Sequence, residues 1–138
     1  MIRFLCREEI LYLHRIEVER SGGTAALRDA RELAAILDAP KVTFGGTYLM
    51  DIFSMAATYI QSIVYHHPFL DGNKRTALLS ALTFLFFNGY TCDETYEEQL
   101  ADVVLDLISH DISKDDLAHF FSARCFKHSP EDLLSRQQ

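Results

Sequence analysis

The chain lacks the features that mark several classes of protein. Its three cysteines, Cys6, Cys92 and Cys125, are widely spaced and include no Cys-x-x-Cys pair, so neither a disulfide framework nor a zinc site is indicated. This usage fits a reducing cytosol. The longest apolar run, residues 81–87, is too short to span a bilayer, and charged residues among the first nine exclude the apolar core of a signal peptide. No membrane association is expected.

Positive charge is also scarce. The chain has 13 Lys and Arg against 20 Asp and Glu, a formal net charge of −7 and a pI near 5.2. Binding to duplex phosphates requires a basic face, so direct DNA binding is not expected, and the acidic excess indicates solubility instead. The sequence also has no G-x-x-x-x-G-K-(S/T) element, which argues against a Walker-type NTPase.

The remaining composition is that of one globular domain. Hydrophobic residues make up 49% and charged residues 24% of 138 residues. Apolar spacings of three and four predict a compact all-α bundle of six or seven helices, and a break in this pattern at 41–47 leaves room for a small β-hairpin-like flap. The helices are expected at about 6–20, 24–37, 49–64 and 73–87, after a Thr95–Glu98 capping box, and after a weaker Ser113–Asp116 box. The folded domain is predicted to cover 1–126, and 127–138 a loose tail.

Residues 41–47 interrupt the helical pattern with β-branched residues, an aromatic ring and two glycines. By itself, the composition of this segment is equally consistent with a flap and with a plain connector. The next helix carries the clearest apolar stripe, and the one at 73–87 is apolar nearly all round, which predicts a central buried helix ending at Asn88-Gly89.

A polar loop, residues 66–73, separates these two helices. Pro68 and Gly72 mark it as non-helical, and the following helix begins at once. Free backbone N–H groups and the positive end of the macrodipole make an anion site at Gly72, Asn73 and Lys74. The charges of Lys74 and Arg75 exceed that of Asp71, so the sequence predicts that this loop binds a phosphate.

Individual residues of the loop can be assigned chemistry. Asp71 is the kind of oxygen ligand that Mg²⁺ takes together with substrate phosphates. His67 is a candidate general base, and Phe69 is predicted to be a buried anchor. Consecutive helical side chains point about 100° apart, so only one of His66 and His67 should face the site. The other histidines, at positions 14, 110, 119 and 128, are interpreted as structural or solvated.

Together, His67-Pro68-Phe69-Leu70-Asp71-Gly72-Asn73-Lys74-Arg75 resembles the Fic family signature, H-P-F-x-(D/E)-G-N-G-R-x-x-R. Two positions depart from it, because Lys74 replaces the second glycine and Leu78 replaces the second arginine. The ending N-K-R-T-A resembles the Doc (death-on-curing) branch, the toxins of toxin–antitoxin pairs. The resemblance spans most of the chain and implies a Fic-like fold.

The resemblance implies a protein-modifying enzyme. His67 would be the base, Asp71 would hold Mg²⁺, Gly72, Asn73 and Lys74 would bind phosphates, and Arg75 would neutralise their charge. A flap of Val42, Thr43, Phe44 and Gly45 would lie beside the active site and dock the target. Doc-like proteins are associated with transfer of the γ-phosphate of ATP, whereas Fic proteins usually transfer AMP. A third possible function is that of a non-catalytic binding module.

The resemblance also implies partners. A Doc-like toxin would modify a Ser or Thr hydroxyl of a cytoplasmic target, translation elongation factor Tu, and arrest growth. The sequence contains no (S/T)-x-x-x-E-(G/N) element, through which many Fic proteins inhibit themselves. Inhibition is therefore expected from a separate antitoxin, whose amphipathic segment packs into an apolar groove.

Overall fold

The computed structural model describes residues 1–93 and 97–128. Six α-helices lie in these residues, which confirms the all-α prediction: α1 Arg7–Ser21, α2 Ala30–Asp38, α3 Ile52–His66, α4 Asn73–Phe87, α5 Glu97–Ile108 and α6 Lys114–Arg124. The Ser113–Asp116 capping box forms at α6, whereas the predicted box at Thr95 lies outside the described residues. None of the described helices has the length and apolar character needed to cross a membrane.

Helix α3 is the centre of the bundle. It packs against α2, α4, α5 and α6, and its side chains from Met55 to Ile60 are all buried. The helix begins at Asp51, whose carboxylate accepts a hydrogen bond from the N–H of Ser54. Burial raises the pKa of Tyr59 to about 12, so its neutral phenol accepts the N–H of Leu5 at 3.1 Å. The polar loop at residues 66–73, which we call the motif loop, therefore begins at the end of a well-packed helix.

Helix α4 has the predicted bounds but not the predicted burial. Its buried face carries small and apolar side chains, including Thr76, Ala77 and Phe84. On its other face, Leu78, Leu79 and Leu82 are only partly buried, and Phe86 is exposed. The prediction of a central buried helix therefore holds for one face of α4 only, because the neighbouring helices cover only part of its circumference. An apolar stripe stays open beside the motif loop.

The second helix begins later than predicted. Residues 24–29, which the sequence analysis placed in it, form an extended segment that we call the strap. The strap runs antiparallel to the motif loop: Leu70 N–H donates to Ala26 O at 3.2 Å, Arg28 N–H donates to Pro68 O at 2.6 Å, and Leu27 pairs with Phe69. Asp29 then caps α2 by accepting from the N–H groups of Arg31 and Glu32. The backbone of residues 24–29 forms hydrogen bonds to the motif loop instead of the hydrogen bonds of a helix.

The predicted flap is a β-hairpin, β1 Thr43–Phe44 and β2 Thr47–Tyr48, with Gly45 and Gly46 at its turn. Tyr48 packs against Phe4 with ring centroids 5.4 Å apart, and Phe4 stacks on Phe84 at 6.0 Å. Phe84 is eleven residues beyond the start of α4, a distance of about 16 Å along the helix. The hairpin is thus held near the end of the α3–α4 pair that is remote from the motif loop.

A second strand pair was not predicted. Strand β3 Tyr90–Cys92 pairs antiparallel with β4 Cys125–Lys127, and a disulfide joins Cys92 to Cys125 across the pair. The prediction of no disulfide is wrong for these two residues, which are 33 positions apart in sequence. The tail boundary is also corrected: Lys127 belongs to β4, and His128 N–H donates to Gly89 O at 2.8 Å. The rest of the tail, 129–138, lies outside the described residues.

Candidate active site

The motif loop lines a cavity of about 380 Å³ between α1 and the start of α4. The loop contributes His67 and residues 70–75, and the end of α1 contributes Glu17, Val18, Ser21 and Gly22. This volume is within the range of small-molecule pockets. The cavity therefore gathers all the predicted catalytic, phosphate-binding and metal-binding residues of the motif in one place.

His67 occupies the C-cap of α3 in a left-handed conformation, with φ 48° and ψ 61°. Non-glycine residues adopt this region infrequently, so the surrounding contacts must hold it there. The imidazole is exposed, and its Nδ1 lies 3.3 Å from the amide Nδ2 of Asn73. The amide nitrogen can only donate, so it favours the tautomer in which Nδ1 carries the unshared electron pair. The contact therefore ties the orientation of the His67 ring to that of Asn73.

The side chain of Asn73 forms hydrogen bonds within the loop, so it is not free to bind a phosphate. It is buried, its Oδ1 accepts the Phe69 N–H at 3.1 Å, and its Nδ2 donates to Phe69 O at 2.9 Å. Both ends of the amide are therefore used by the loop. What Asn73 can offer an anion is its backbone N–H, in the first turn of α4.

Gly72, Lys74 and Arg75, three of the residues predicted to bind a phosphate, lie together at the start of α4. Gly72 is the N-cap with φ 76°, a left-handed conformation that glycine adopts without a steric penalty. The first N–H groups of the helix have no intrahelical partner and carry the positive end of the macrodipole. Lys74 and Arg75 are exposed and line the cavity beside them. Backbone donors and two cationic side chains thus converge where the sequence predicts a phosphate.

Asp71 is exposed and lines the same cavity. Its Oδ2 accepts the N–H of Thr24 at 3.1 Å, and a Cβ on the adjacent Gly23 would lie only 3.2 Å from it. The described residues contain no group of three or more His, Cys, Asp and Glu side chains able to hold a metal on their own. A single carboxylate beside an anion site nevertheless suits Mg²⁺, which takes one or two carboxylates together with phosphates and waters.

Phe69 is the predicted anchor, and the structure confirms its burial at 1% exposure. Its ring stacks on His14 of α1, with centroids 3.6 Å apart, and His14 Nε2 donates to Asp71 O at 2.7 Å. His14 is a structural residue, as predicted, but it also joins α1 to two positions of the motif. Its place among the apolar residues of α1 was the one signal of this role.

Three other residues near the site received no role from the sequence. Glu17 brings a second carboxylate to the cavity wall, with a side-chain exposure of 12%. Glu32 of α2 pairs with His66 Nδ1, so His66 faces α2 while His67 lines the cavity. Arg28 donates to the carbonyl oxygens of both histidines. These contacts link positions far apart in the chain, which local patterns do not reveal.

The predicted flap does not line the cavity that contains the motif residues. Of the described residues that line the cavity, none comes from the hairpin, so Val42, Thr43, Phe44 and Gly45 are apart from the other predicted site residues. Phe44 is 80% exposed and the hairpin presents an open edge. Its role in docking a target stays a prediction.

A helical bundle that presents an H-P-F-x-D-G-N-K-R loop between its central helix α3 and the start of α4 defines a recognisable class. The Fic/DOC family model matches residues 4–85, and the chain belongs to this family. It is 33% identical to "Protein kinase doc" of Escherichia phage P1 over 117 residues, which cover 85% of this chain and 91% of that protein. It is 31% identical to "Toxin Doc" of Mycolicibacterium smegmatis (strain ATCC 700084 / mc(2)155) over 120 residues, 86% of this chain and 90% of that protein.

Proposed function

We propose that this protein is a Doc-like toxin that transfers the γ-phosphate of ATP to a Ser or Thr hydroxyl of a protein target. The observation that carries the proposal is the single cavity in which His67 and Asp71 meet the basic N-terminus of α4. The names of the two relatives, a protein kinase and a toxin, support the same reading. Growth arrest would follow from modification of a cytoplasmic translation factor, for which elongation factor Tu is our candidate.

The chemistry requires one proton transfer and one displacement at phosphorus. The target hydroxyl gives its proton to the imidazole of His67 while its oxygen bonds to the γ-phosphorus. The bond from that phosphorus to the β,γ-bridging oxygen breaks, and ADP leaves with the electron pair. The N–H groups at the start of α4, Lys74 and Arg75 neutralise the negative charge of the phosphates. His67 then returns its proton to solvent.

Asp71 is the residue that would hold Mg²⁺, with Glu17 the nearest additional carboxylate on the cavity wall. When bound, the ion supplies charge neutralisation between the phosphates of the nucleotide. The hydrogen bond from Thr24 N–H fixes one oxygen of the Asp71 carboxylate, which orients the other for a ligand. Asp71 itself is oriented by His14 through its backbone carbonyl.

Two residues favour phosphoryl transfer over AMP transfer. Lys74 stands where the Fic signature has a glycine, so a side chain and a charge occupy space that would otherwise let a phosphate approach the backbone. Leu78 stands where the signature has its second arginine, and it lines an apolar groove outside the main cavity. The positive charge is thus concentrated at the start of α4, which favours placing the γ-phosphate there.

Intact-mass spectrometry of the target tests this proposal. After incubation of elongation factor Tu with the protein, ATP and Mg²⁺, we expect a phosphoryl adduct, and Lys74→Gly should slow its formation. Arg31→Ala, which removes a cation from the exposed surface of α2, is the control and should not change the rate. An AMP adduct that forms faster in Lys74→Gly would contradict phosphoryl transfer and favour the adenylyltransferase, the alternative function.

The open face of α4 supports the expected antitoxin. A mostly apolar groove of about 310 Å³ lies between α4 and α5, lined by Leu78, Ala101, Val104 and Leu105 together with Lys74 and Arg75. We propose that it receives an amphipathic antitoxin helix, with apolar residues in the groove and an acidic residue against the two cations. Such a helix would cover the phosphate site and so block the reaction.

A charge placed in the groove should release the toxin from its antitoxin. Leu105 is 48% exposed, so Leu105→Glu should fold normally but weaken antitoxin binding at least tenfold, because the new carboxylate must be desolvated in the complex. Isothermal titration calorimetry with the co-expressed antitoxin measures the change. Leu49→Glu is the matched control, since Leu49 is 63% exposed and directly follows the remote hairpin. Equal affinities for both variants would show that the antitoxin binds elsewhere.

A further inference from the structure

Arg28 of the strap makes an unusual set of contacts with the residues around the base. Its guanidinium Nη2 donates to His66 O at 2.6 Å, and its Nε donates to His67 O. Its backbone N–H donates to Pro68 O at 2.6 Å. One residue thus binds three successive carbonyl groups, across 38 to 40 positions of sequence.

These carbonyls are at the place where the chain leaves α3. The last carbonyl groups of a helix lack intrahelical partners and carry the negative end of the macrodipole, so a cation is favoured there. The chain turns at His67, which holds a left-handed conformation although it is not glycine. The planar fork of arginine matches two neighbouring oxygens at once and so restricts the rotation of the peptide groups that bear them.

We infer that Arg28 is a positioning residue, which fixes the backbone of His67 so that the imidazole faces the cavity. This inference rests on the proposed function, in which His67 is the base. Arg28 does not line the cavity, so it acts through His67 and not on the nucleotide. Glu32 assists by holding the neighbouring His66 against α2.

We expect the contacts of Arg28 to affect the backbone geometry of His67 more than the free energy of unfolding. Arg28 is exposed, so water can replace its guanidinium at the two carbonyl oxygens when it is removed. Water satisfies these oxygens but does not restrict the φ and ψ angles of His67. A base displaced by ~1 Å can cost ~10²-fold in rate. Removing Arg28 should therefore reduce kcat in a protein that remains folded.

Three full-length variants test the inference. In Arg28→Ala, we expect kcat for phosphorylation of elongation factor Tu to fall by up to ~10²-fold with little change in the KM for ATP. Arg28→Lys should recover only part of the rate, because an ammonium cannot bind two carbonyls in the same fork. Millimolar methylguanidinium should restore part of the rate of Arg28→Ala. Arg31→Ala, three positions along the chain and also exposed, should match the parent protein.

NMR of the protein without substrates provides a readout that does not depend on the reaction. The three-bond H–N–Hα coupling and the imidazole ¹⁵N shifts of His67 should change in Arg28→Ala and stay unchanged in Arg31→Ala. Unchanged His67 signals with an unchanged kcat in Arg28→Ala would overturn the inference. If the signals change while the parent protein transfers no group to any target, Arg28 positions His67 as inferred and the proposed function fails instead. Thermal unfolding of each variant confirms that it is folded.

Discussion

Replacing His67 with asparagine or alanine should lower the rate of group transfer by ~10²–10⁴-fold, the usual loss when a general base is removed. His67 is exposed and contributes its side chain to the cavity, not to the core. Asparagine tolerates the left-handed conformation of this position, so His67→Asn separates the loss of the base from a change of backbone. The rate is measured by intact-mass spectrometry of the target over time. Cells should tolerate expression of either variant.

His110 provides a matched control for this prediction. It is the other non-glycine residue with positive φ among the described residues, at 64°, and it is exposed at the end of α5. His110→Asn should change the backbone energetics in the same way, while the rate and the toxicity stay those of the parent protein. Full activity in folded His67→Asn would eliminate His67 as the base and with it the mechanism proposed above.

Replacing Phe69 with alanine should cost ~3–5 kcal/mol of unfolding free energy, as is typical of a large aromatic side chain removed from a core. The ring is 1% exposed and stacks on His14, and the backbone of Phe69 pairs with Leu27 of the strap. The loss is a large share of the ~5–15 kcal/mol that stabilises an ordinary domain. Because the same ring holds the motif loop, transfer activity should fall even where the variant is still folded. Chemical denaturation measures the free energy.

Leu70→Ala is the neighbouring control. Leu70 is 57% exposed, so its truncation should change the unfolding free energy by less than ~0.5 kcal/mol. A similar loss of stability in Phe69→Ala and Leu70→Ala would mean that the loop is not anchored through the Phe69 ring. The comparison separates anchoring from a general sensitivity of the loop to truncation.

Local patterns in the sequence determined a large part of this protein. The bounds of α4 and the burial of Phe69 were predicted from local patterns, and the structure confirms both. The anion site at Gly72 was predicted in the same way, from the N-terminus of a helix. The all-α fold followed from apolar periodicity in the same way, whereas the hairpin was favoured over a plain connector only by the family resemblance. These features depend on neighbours within a few positions, so the sequence alone contains their cause.

Tertiary structure decided how the site is held. His14, Thr24, Arg28 and Glu32 contact the motif loop from 34 to 57 positions away, and no local pattern identifies such partners. Periodicity shows that a face is apolar but not what covers it. The sequence therefore did not reveal that part of α4 is left uncovered. The side chain of Asn73 was available to a phosphate in the sequence, but the nearby Phe69 backbone took both ends of its amide. Packing brings distant polar groups together, and those groups fix the orientation of the base.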